Sequence, residues 1–226
     1  MSETTLDPSD TLEPADIRAA AALHTRAFPH FFLSSLGERF LREFYSGFLS
    51  DPDAVTAVTR TANGRILGVA VGTLTPDRFF RRLLRTRGLR FALAGLPAAL
   101  RRPRTALRLL RAIAYRGTVP VGAEGALLSS ICVDPTAQHA GHGRWLIEAW
   151  WLRARERGAR SAYLITDRVD NEAVNNFYRR AGWTPRGSYT TPEGRPMNCY
   201  VVADHTAGGP GATSGPRPPA CRPESS

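Results

Sequence analysis

A glycine-rich segment stands between a predicted strand and a predicted helix in the second half of the chain. Residues 133–143 read Val-Asp-Pro-Thr-Ala-Gln-His-Ala-Gly-His-Gly. Glycines let a backbone approach a ligand closely, and the N–H groups and dipole of a following helix N-terminus favour an anion. The spacing Gln138-x-x-Gly141-x-Gly143 therefore predicts either a pyrophosphate-binding loop or an ordinary turn, and the spacing alone does not separate the two.

A second pattern of polar and aromatic residues follows downstream. It reads Asn171-x-Ala173-x-x-x-x-Tyr178-x-x-x-Gly182-Trp183. Apolar side chains recur at helical spacing over residues 171–181, and the glycine at 182 is a common residue after the end of a helix. Residues 161–166, between the two patterns, predict a strand. The region thus contains a strand, a loop, a helix, a second strand and a second helix.

Both patterns resemble signatures of the GNAT superfamily of acetyl-CoA-dependent N-acetyltransferases. Val-Asp-Pro followed by Gln138-x-x-Gly141-x-Gly143 is similar to the acetyl-CoA pyrophosphate loop of that superfamily, and residues 171–183 are similar to its second signature. The resemblance is sharp over residues 127–183 and looser over 14–202. Two departures are a histidine at position 139, where glycine is frequent, and a poorly visible first strand before the opening helix.

The resemblance implies a set of binding and catalytic roles. Backbone groups of Ile131, Cys132 and Val133 would run beside the pantetheine arm, Asn171 would hydrogen-bond that arm, and Tyr178 would reach its sulfur. Backbone N–H groups of the loop would hold the pyrophosphate, namely those of Gln138, His139, Ala140, Gly141, His142, Gly143 and Arg144. A tyrosine hydroxyl near a thioester can protonate the departing thiolate. We expect acetyl-CoA as the acetyl donor and no metal.

The general base is not evident from the sequence. Many relatives carry a glutamate on the central strand, but residues 127–130 here are Leu-Leu-Ser-Ser, and the nearest acid is Glu124. That glutamate either acts through water or is an ordinary loop residue. Cys132 is interpreted as a buried thiol, because direct acetyl transfer needs no acyl-enzyme. The remaining candidates are interpreted as surface or packing histidines: His24, His30, His139 and His142.

The order of predicted elements indicates an α/β protein with a mixed central β-sheet flanked by helices. Strands are predicted at 54–60, 66–73, 126–133, 161–166, 184–190 and 197–202, and helices at 14–28, 36–48, 144–157 and 171–181. An Arg-rich helical insertion, 78–116, precedes the cofactor-binding strand, and breaks at Gly88, Gly95-Leu96-Pro97 and Pro103 predict two or three short helices within it. Aromatic residues of the second helix region indicate core packing, with Phe31, Phe32 and Tyr45 as alternatives for a substrate entrance.

The composition predicts one domain with polar ends. We expect a disordered acidic N-terminal tail over 1–13, a GNAT acetyltransferase domain over 14–204, and a disordered C-terminal tail over 205–226. The chain begins without a basic and apolar leader, and its longest apolar run is too short to span a bilayer, so we expect a cytoplasmic protein. Three widely spaced cysteines predict neither a disulfide nor a metal site.

The net charge of +10 is concentrated in the insertion. All 30 basic residues are Arg, twelve of them lie in residues 78–116, and that segment has no acid, so the remainder sums to about −2 (+10 minus +12). The segment either presents solvated helix faces or binds an anionic partner: a phosphorylated amino sugar, RNA or a membrane. Neither nucleic acid nor a membrane is the preferred partner, and a homodimer is compatible with the sequence.

The function that these observations favour is acetyl transfer to a primary amine. The preferred acceptor is a small molecule, such as an amino sugar or an amine metabolite. Two alternatives stay open: a module that binds acetyl-CoA without turnover, favoured by the absent strand carboxylate, and an acetyltransferase that acts on protein or RNA. The acceptor itself is not encoded in a recognisable motif, because acceptor pockets are built from variable loops and inserted elements.

Overall fold

A mixed β-sheet of seven strands forms the centre of the molecule. The computed structural model describes residues 4–5, 10–29, 31–101, 122–192 and 194–204. The strands lie in the order β1-β2-β3-β4-β5-β7-β6, and only the β4–β5 pair is parallel. Their bounds are β1 Thr4–Thr5, β2 Ala54–Thr61, β3 Ile66–Thr73, β4 Ala126–Val133, β5 Ser161–Asp167, β6 Thr184–Thr190 and β7 Pro196–Ala203. The predicted mixed sheet is confirmed.

Helices cover both faces of this sheet. Their bounds are α1 Ile17–Ala27, α2 Phe32–Ser35, α3 Glu38–Ser50, α4 Pro76–Arg101, α5 His142–Glu156 and α6 Glu172–Arg180. One buried apolar cluster joins α1, α3 and α4 to one face, and a second cluster joins α5 and α6 to the other. The sheet therefore separates two cores, and the predicted α/β class with flanking helices is confirmed.

The β2–β3 hairpin turns at Gly64 and packs closely against helix α5. At the turn, Gly64 has the positive φ of +81° that the predicted tight turn requires. Every residue of β3 is buried, and a Cβ at Gly72 would overlap the carbonyl oxygen of Leu127 and the indole of Trp150. The Trp150 N–H donates to the carbonyl oxygen of Val55 at 3.0 Å. These contacts fix α5, the helix that follows the glycine-rich loop, against the sheet.

Residues before α1 are attached to the sheet. Thr4–Thr5 pairs with β2, so the first strand that is hard to see in the sequence is present as two residues. Arg60 makes ion pairs with Asp10 at 3.0 Å and with Asp16 at 2.6 Å, and Leu12 is buried. Part of the stretch assigned to an N-terminal tail therefore contacts β2. The assigned C-terminal tail, 205–226, lies outside the described residues.

Helix α4 runs without a break through the first part of the Arg-rich insertion. The breaks predicted at Gly88 and at Gly95-Leu96-Pro97 are wrong, because one helix of 26 residues spans them. Burial of Phe79, Phe80, Leu83 and Phe91 offsets the roughly 1 kcal/mol that a glycine costs in a helix. The close approach to α3 is possible because residue 47 is a glycine, at which a Cβ would overlap the Leu83 side chain. The predicted break at Pro103 and the rest of the insertion fall in residues 102–121, outside the described part.

Candidate active site

Strands β4 and β5 are paired only where they begin. Their register contains two pairs, Ala126 with Ala162 and Leu127 with Tyr163. Beyond these pairs β4 stays bonded to β3, and β5 stays bonded to β7 along its whole length. The two parallel strands therefore diverge, and within the described part of the chain an opening separates the last residues of β4 from those of β5.

A β-bulge lies at the point of divergence. Val71 of β3 is opposite Ser130, whereas the next residue, Gly72, is opposite Leu128, so Ser129 has no partner on β3. A bulge adds local twist and bends its strand. We attribute the divergence of β4 from β5 to this extra residue, which falls in the Leu-Leu-Ser-Ser stretch where the sequence lacks a carboxylate.

The pairing with β3 decides which backbone groups face the opening. The Asp134 N–H donates to the Leu67 carbonyl oxygen at 2.7 Å. Residues of an antiparallel strand alternate between pointing their polar groups toward and away from the partner, so Cys132 bonds toward Val69 of β3. Ile131 and Val133 then direct their N–H and C=O groups into the opening. Of the three predicted cofactor-strand residues, these two can bond a ligand through the backbone.

Asp134 anchors the start of the glycine-rich loop. Its carboxylate accepts hydrogen bonds from the Thr136 N–H at 3.0 Å, from the Thr136 hydroxyl at 2.7 Å and from Arg26 at 3.1 Å. Burial alone would raise the pKa of Asp134, but these bonds outweigh it and lower that pKa. This role of Asp134 is not among the predictions from sequence, although aspartate often starts a turn in which its side chain accepts from the backbone N–H two residues on.

The loop then turns into α5 without a side chain that caps the first N–H groups of the helix. His139 and Gly141 have positive φ values of 66° and 86°. Gly141 is the N-cap residue of α5 and provides no side-chain hydrogen bond to the helix. The first helical hydrogen bond runs from the Trp145 N–H to the Gly141 carbonyl oxygen. The preceding N–H groups, at His142, Gly143 and Arg144, are those that a helix N-terminus offers to an anion.

Side chains of the loop do not add a positive charge to this site. The Arg144 guanidinium donates to Glu148 at 2.8 Å, one helical turn further on. The imidazole of His142 is buried, whereas Gln138, His139 and Ala140 are exposed. Backbone N–H groups of residues 138–144, rather than these side chains, therefore stay the predicted contacts for an anion.

Helix α6 is attached to the end of β5 by two asparagines. The Asn171 amide donates to the Thr166 hydroxyl at 2.9 Å and to the Asp167 carbonyl oxygen at 3.0 Å. Asn175, which the sequence analysis did not single out, also donates to Asp167 and accepts from the Tyr200 hydroxyl at 2.9 Å. The amide nitrogen of Asn171 is therefore occupied, so only its amide oxygen is available for the predicted contact with a cofactor arm.

Tyr178 belongs to the core on the α5 and α6 side of the sheet, with its ring 5.8 Å from the Tyr200 ring of β7. Its side chain is buried, and burial raises the pKa of its hydroxyl well above the ordinary value near 10. A Cβ at Gly143 would lie 3.4 Å from the Phe177 ring and 3.8 Å from Val133, so the start of α5 approaches both α6 and the end of β4. The structure thus brings the loop, the strand and the tyrosine-bearing helix together.

Glu124 lies away from this assembly. It precedes the paired beginning of β4, where its carbonyl oxygen accepts from the Ser161 hydroxyl at 3.0 Å. Glu124 is six positions before Ser130 and precedes the start of β4, and an extended chain of that length spans up to about 20 Å. The structure does not bring Glu124 to the bulge.

His24 and Tyr45 form a hydrogen-bonded pair in the interior. Nδ1 of His24 and the Tyr45 hydroxyl are 2.9 Å apart, and the same hydroxyl is 3.6 Å from the Cys132 sulfur. Burial lowers the pKa of His24 to about 4 and raises that of Cys132 to about 12, so both groups are neutral near pH 7. Tyr45 is fully buried, and the alternative that it lines a substrate entrance is wrong. His30 lies outside the described residues.

On the opposite face from Tyr178, three elements meet near the end of β5. The Arg195 guanidinium donates to both carboxylate oxygens of Asp167, at 2.6 and 2.7 Å. The same guanidinium lies over the Phe31 ring, 5.6 Å from its centroid. This contact joins the segment before α2, the end of β5 and the β6–β7 turn.

Two properties of the described residues concern metal ligation and membrane insertion. Among them, no group of three or more His, Cys, Asp or Glu side chains is arranged to hold a metal ion. No helix in the same part of the chain is long and apolar enough to cross a membrane.

The diverging strands, the bulge and the glycine-rich helix start define an α/β fold with a split central sheet. A family model described as an acetyltransferase (GNAT) domain matches residues 108–185, and no curated protein matches the chain. Solved structures with this fold include SsHAT, with 22% identity over 89% of this chain and 98% of that chain and a TM-score of 0.62. Residues 108–185 are thus similar to a GNAT acetyltransferase domain, and the chain shares the fold of these solved structures.

Two further structures have the same fold at low identity. The ribosomal-protein-S18-alanine N-acetyltransferase from Escherichia coli is 18% identical over 94% of this chain and 100% of that chain, with a TM-score of 0.54. An aminoglycoside 6'-N-acetyltransferase in complex with coenzyme A is 12% identical over 86% and 95%, with a TM-score of 0.56. At these identities the likeness is one of fold.

Proposed function

We propose that this protein transfers the acetyl group of acetyl-CoA directly to a primary amine of a small molecule, such as an amino sugar or an amine metabolite. The observation that carries the proposal is the opening between β4 and β5, which has backbone groups of β4 on one side and lies in the sheet covered by α6, the helix that carries Tyr178. Backbone N–H and C=O groups that lack a strand partner are suited to bond an extended ligand.

The donor fits this opening through its amide groups. Polar backbone groups of Ile131 and Val133 bond the pantetheine arm as they would bond another strand, and the Asn171 amide oxygen accepts from the same arm. The pyrophosphate is held by N–H groups between Gln138 and Arg144 at the start of α5. This arrangement leaves the thioester next to the bulge, where the strands separate.

The reaction then needs few side chains. The amine nitrogen attacks the thioester carbon, a C–N bond forms, and the negative charge on the oxygen is stabilised by a backbone N–H near Val133. The C–S bond breaks, and the protonated Tyr178 hydroxyl donates its proton to the sulfur. Because Ser129 and Ser130 stand at the bulge without a carboxylate, the amine loses its proton to water.

The acceptor is the least constrained part of the proposal. Proteins of this fold include enzymes named for a ribosomal-protein alanine, for an aminoglycoside and for spermidine, so the fold does not select the acceptor. The contact of Arg195 with Asp167 and Phe31 crosses the face opposite Tyr178. This contact ties the segment before α2 to the β6–β7 turn at the end of β5, and a small amine is the acceptor that we propose for the space beside it.

Thiol release from acetyl-CoA tests the proposal. The protein is assayed with amino sugars, polyamines, aminoglycosides and a peptide, while acetyl-CoA binding is measured by calorimetry. Release with one of the small amines is the expected result. Tight binding with no release for any amine would overturn the enzymatic function and support a non-catalytic binding module. Release only with the peptide would overturn the small-molecule acceptor alone.

Tyr178→Phe tests the proton donor. We expect kcat to fall by about 100-fold, the range of one general acid, while the Kd for acetyl-CoA stays nearly constant. Tyr200→Phe is the matched control, because Tyr200 is a buried tyrosine 5.8 Å away whose hydroxyl bonds Asn175 instead. The control should lose stability but keep its kcat. An unchanged kcat in Tyr178→Phe would remove the tyrosine from the reaction.

A further inference from the structure

The outward face of α4 carries one continuous row of residues. The row, which we call the α4 stripe, repeats at three- and four-residue spacing along the helix. It consists of Arg78, Arg81, Arg85, Leu89, Leu93, Leu96 and Leu100. The four leucines are between 50% and 76% exposed, and the three arginines are exposed as well. The stripe is thus basic in its first half and apolar in its second half.

The opposite face of α4 packs the helix against the rest of the protein. Phe79, Leu83 and Phe91 are buried against the core. Two arginines of the same helix are paired inward, Arg82 with Asp51 at 2.6 Å and Arg87 with Glu43 at 2.9 Å. The stripe arginines make no ion pair among the described residues, so neither the charge nor the leucines of the stripe are used to build this fold.

Charge and apolarity together select one kind of partner. We propose that the α4 stripe binds the surface of a bilayer that contains anionic phospholipids, with the leucines among the acyl chains and the arginines at the phosphates. The residues from 78 to 116 carry twelve arginines and no acid, so a second copy of the stripe would bring arginines without a counter-charge. RNA would match the arginines but leave the four leucines in water.

Flotation of the full-length protein with lipid vesicles tests this binding. Vesicles of phosphatidylcholine alone are compared with vesicles that also contain phosphatidylglycerol. We expect binding to the anionic vesicles that weakens as salt is raised, and little binding to the neutral ones. Equal binding to both kinds, or none to either, would overturn the proposal.

Two double variants separate the two halves of the stripe. The leucine variant, Leu93→Ser with Leu96→Ser, should lower the partition of the protein into anionic vesicles by about tenfold. The arginine variant, Arg81→Gln with Arg85→Gln, should lower this partition by about twentyfold and weaken its dependence on salt. The matched control is Leu152→Ser with Arg160→Gln, an exposed leucine and an exposed arginine outside α4. It should bind like the parent protein.

The same variants distinguish a bilayer from the other possible partners of the α4 stripe: another part of the chain, a second copy of the chain, and RNA. Melting temperature, molar mass and acetyl-CoA binding should all be unchanged in the leucine variant, because its side chains are exposed. A large fall in melting temperature would show that another part of the chain covers the leucines. A fall in molar mass in the leucine variant would show that a second copy of the chain covers the leucines. If the protein binds RNA but not vesicles, and the leucine variant still binds RNA, the stripe is a nucleic-acid surface. Each of these results overturns the proposal.

Discussion

His24 and Tyr45 place a polar pair inside an otherwise aromatic cluster. The His24 ring contacts Phe28, Phe31 and Phe44 with centroid distances of 5.2 to 6.5 Å. Its Nε2 is buried and has no hydrogen-bond partner among the described residues. An imidazole in such surroundings is stable only when neutral, because burial penalises its charged form.

The low pKa of His24 predicts how stability depends on pH. In the unfolded chain His24 is protonated below about pH 6.5, whereas in the folded protein it is protonated only below about pH 4. The free energy of unfolding should therefore fall as the pH is lowered through this window, by about 3 kcal/mol in total. Urea unfolding at pH 7, 6 and 5 measures this loss.

His24→Asn provides the control for that measurement. Asparagine keeps a polar group for Tyr45 but does not titrate, so this variant should be less stable at pH 7 and nearly independent of His24 protonation below it. Carboxylates elsewhere affect both proteins alike. If the two curves fall in parallel from pH 7 to 5, the charge of His24 does not account for the loss.

At the scale of elements, the start of α5 depends on backbone conformation. Gly141 lies in the left-handed region with φ at +86°, and its N–H neighbours form the proposed anion site. Gly141→Ala should destabilise the fold by about 1 kcal/mol and weaken acetyl-CoA binding by about tenfold, because the alanine moves the loop out of this conformation. Calorimetric titration of acetyl-CoA measures the binding.

Gly158 offers a matched control at the other end of the same helix. It has φ at +91°, and, as at Gly141, a Cβ there would meet no atom within 4 Å. Gly158→Ala should carry a similar loss of stability but leave acetyl-CoA binding unchanged. Equal weakening of binding in both variants would mean that helix stability, rather than the loop, governs the affinity.

At the scale of the whole molecule, strand β3 contributes side chains to both cores, and helix α5 packs on one of its faces. Gly72 lies opposite the bulge and under Trp150. Gly72→Ala should reduce the free energy of unfolding by about 1–3 kcal/mol or more, because the added methyl group has to displace backbone as well as the indole. Chemical denaturation measures the change.

Gly88→Ala, on α4, should have the opposite effect on stability. A Cβ at Gly88 meets no atom within 4 Å, and the residue has helical geometry, so alanine should raise stability by up to about 1 kcal/mol. A stabilising effect would agree with a continuous α4. Destabilisation at Gly88, or none at Gly72, would contradict the packing described for these helices.

Local features of the sequence determined most elements and the proposed donor-binding loop. Strands 66–73, 126–133 and 184–190 agree with the structure to the residue, because turn residues and buried runs mark their ends. The loop could be proposed from sequence because a backbone site for an anion needs only glycines and a helix start, all within a few residues. The roles of Tyr178 and Asn171 stay predictions that rest on the resemblance.

Only the tertiary structure decided the features that depend on distant parts of the chain. Glycine at position 72 permits the contact with Trp150, and the register opposite it produces the bulge at Ser129 that separates β4 from β5. The same register turns Cys132 toward β3 and leaves Ile131 and Val133 facing the opening. Packing against α3 also made α4 one helix and placed arginines and leucines in one row. Local sequence cannot specify these results, since each is settled by which far residues touch.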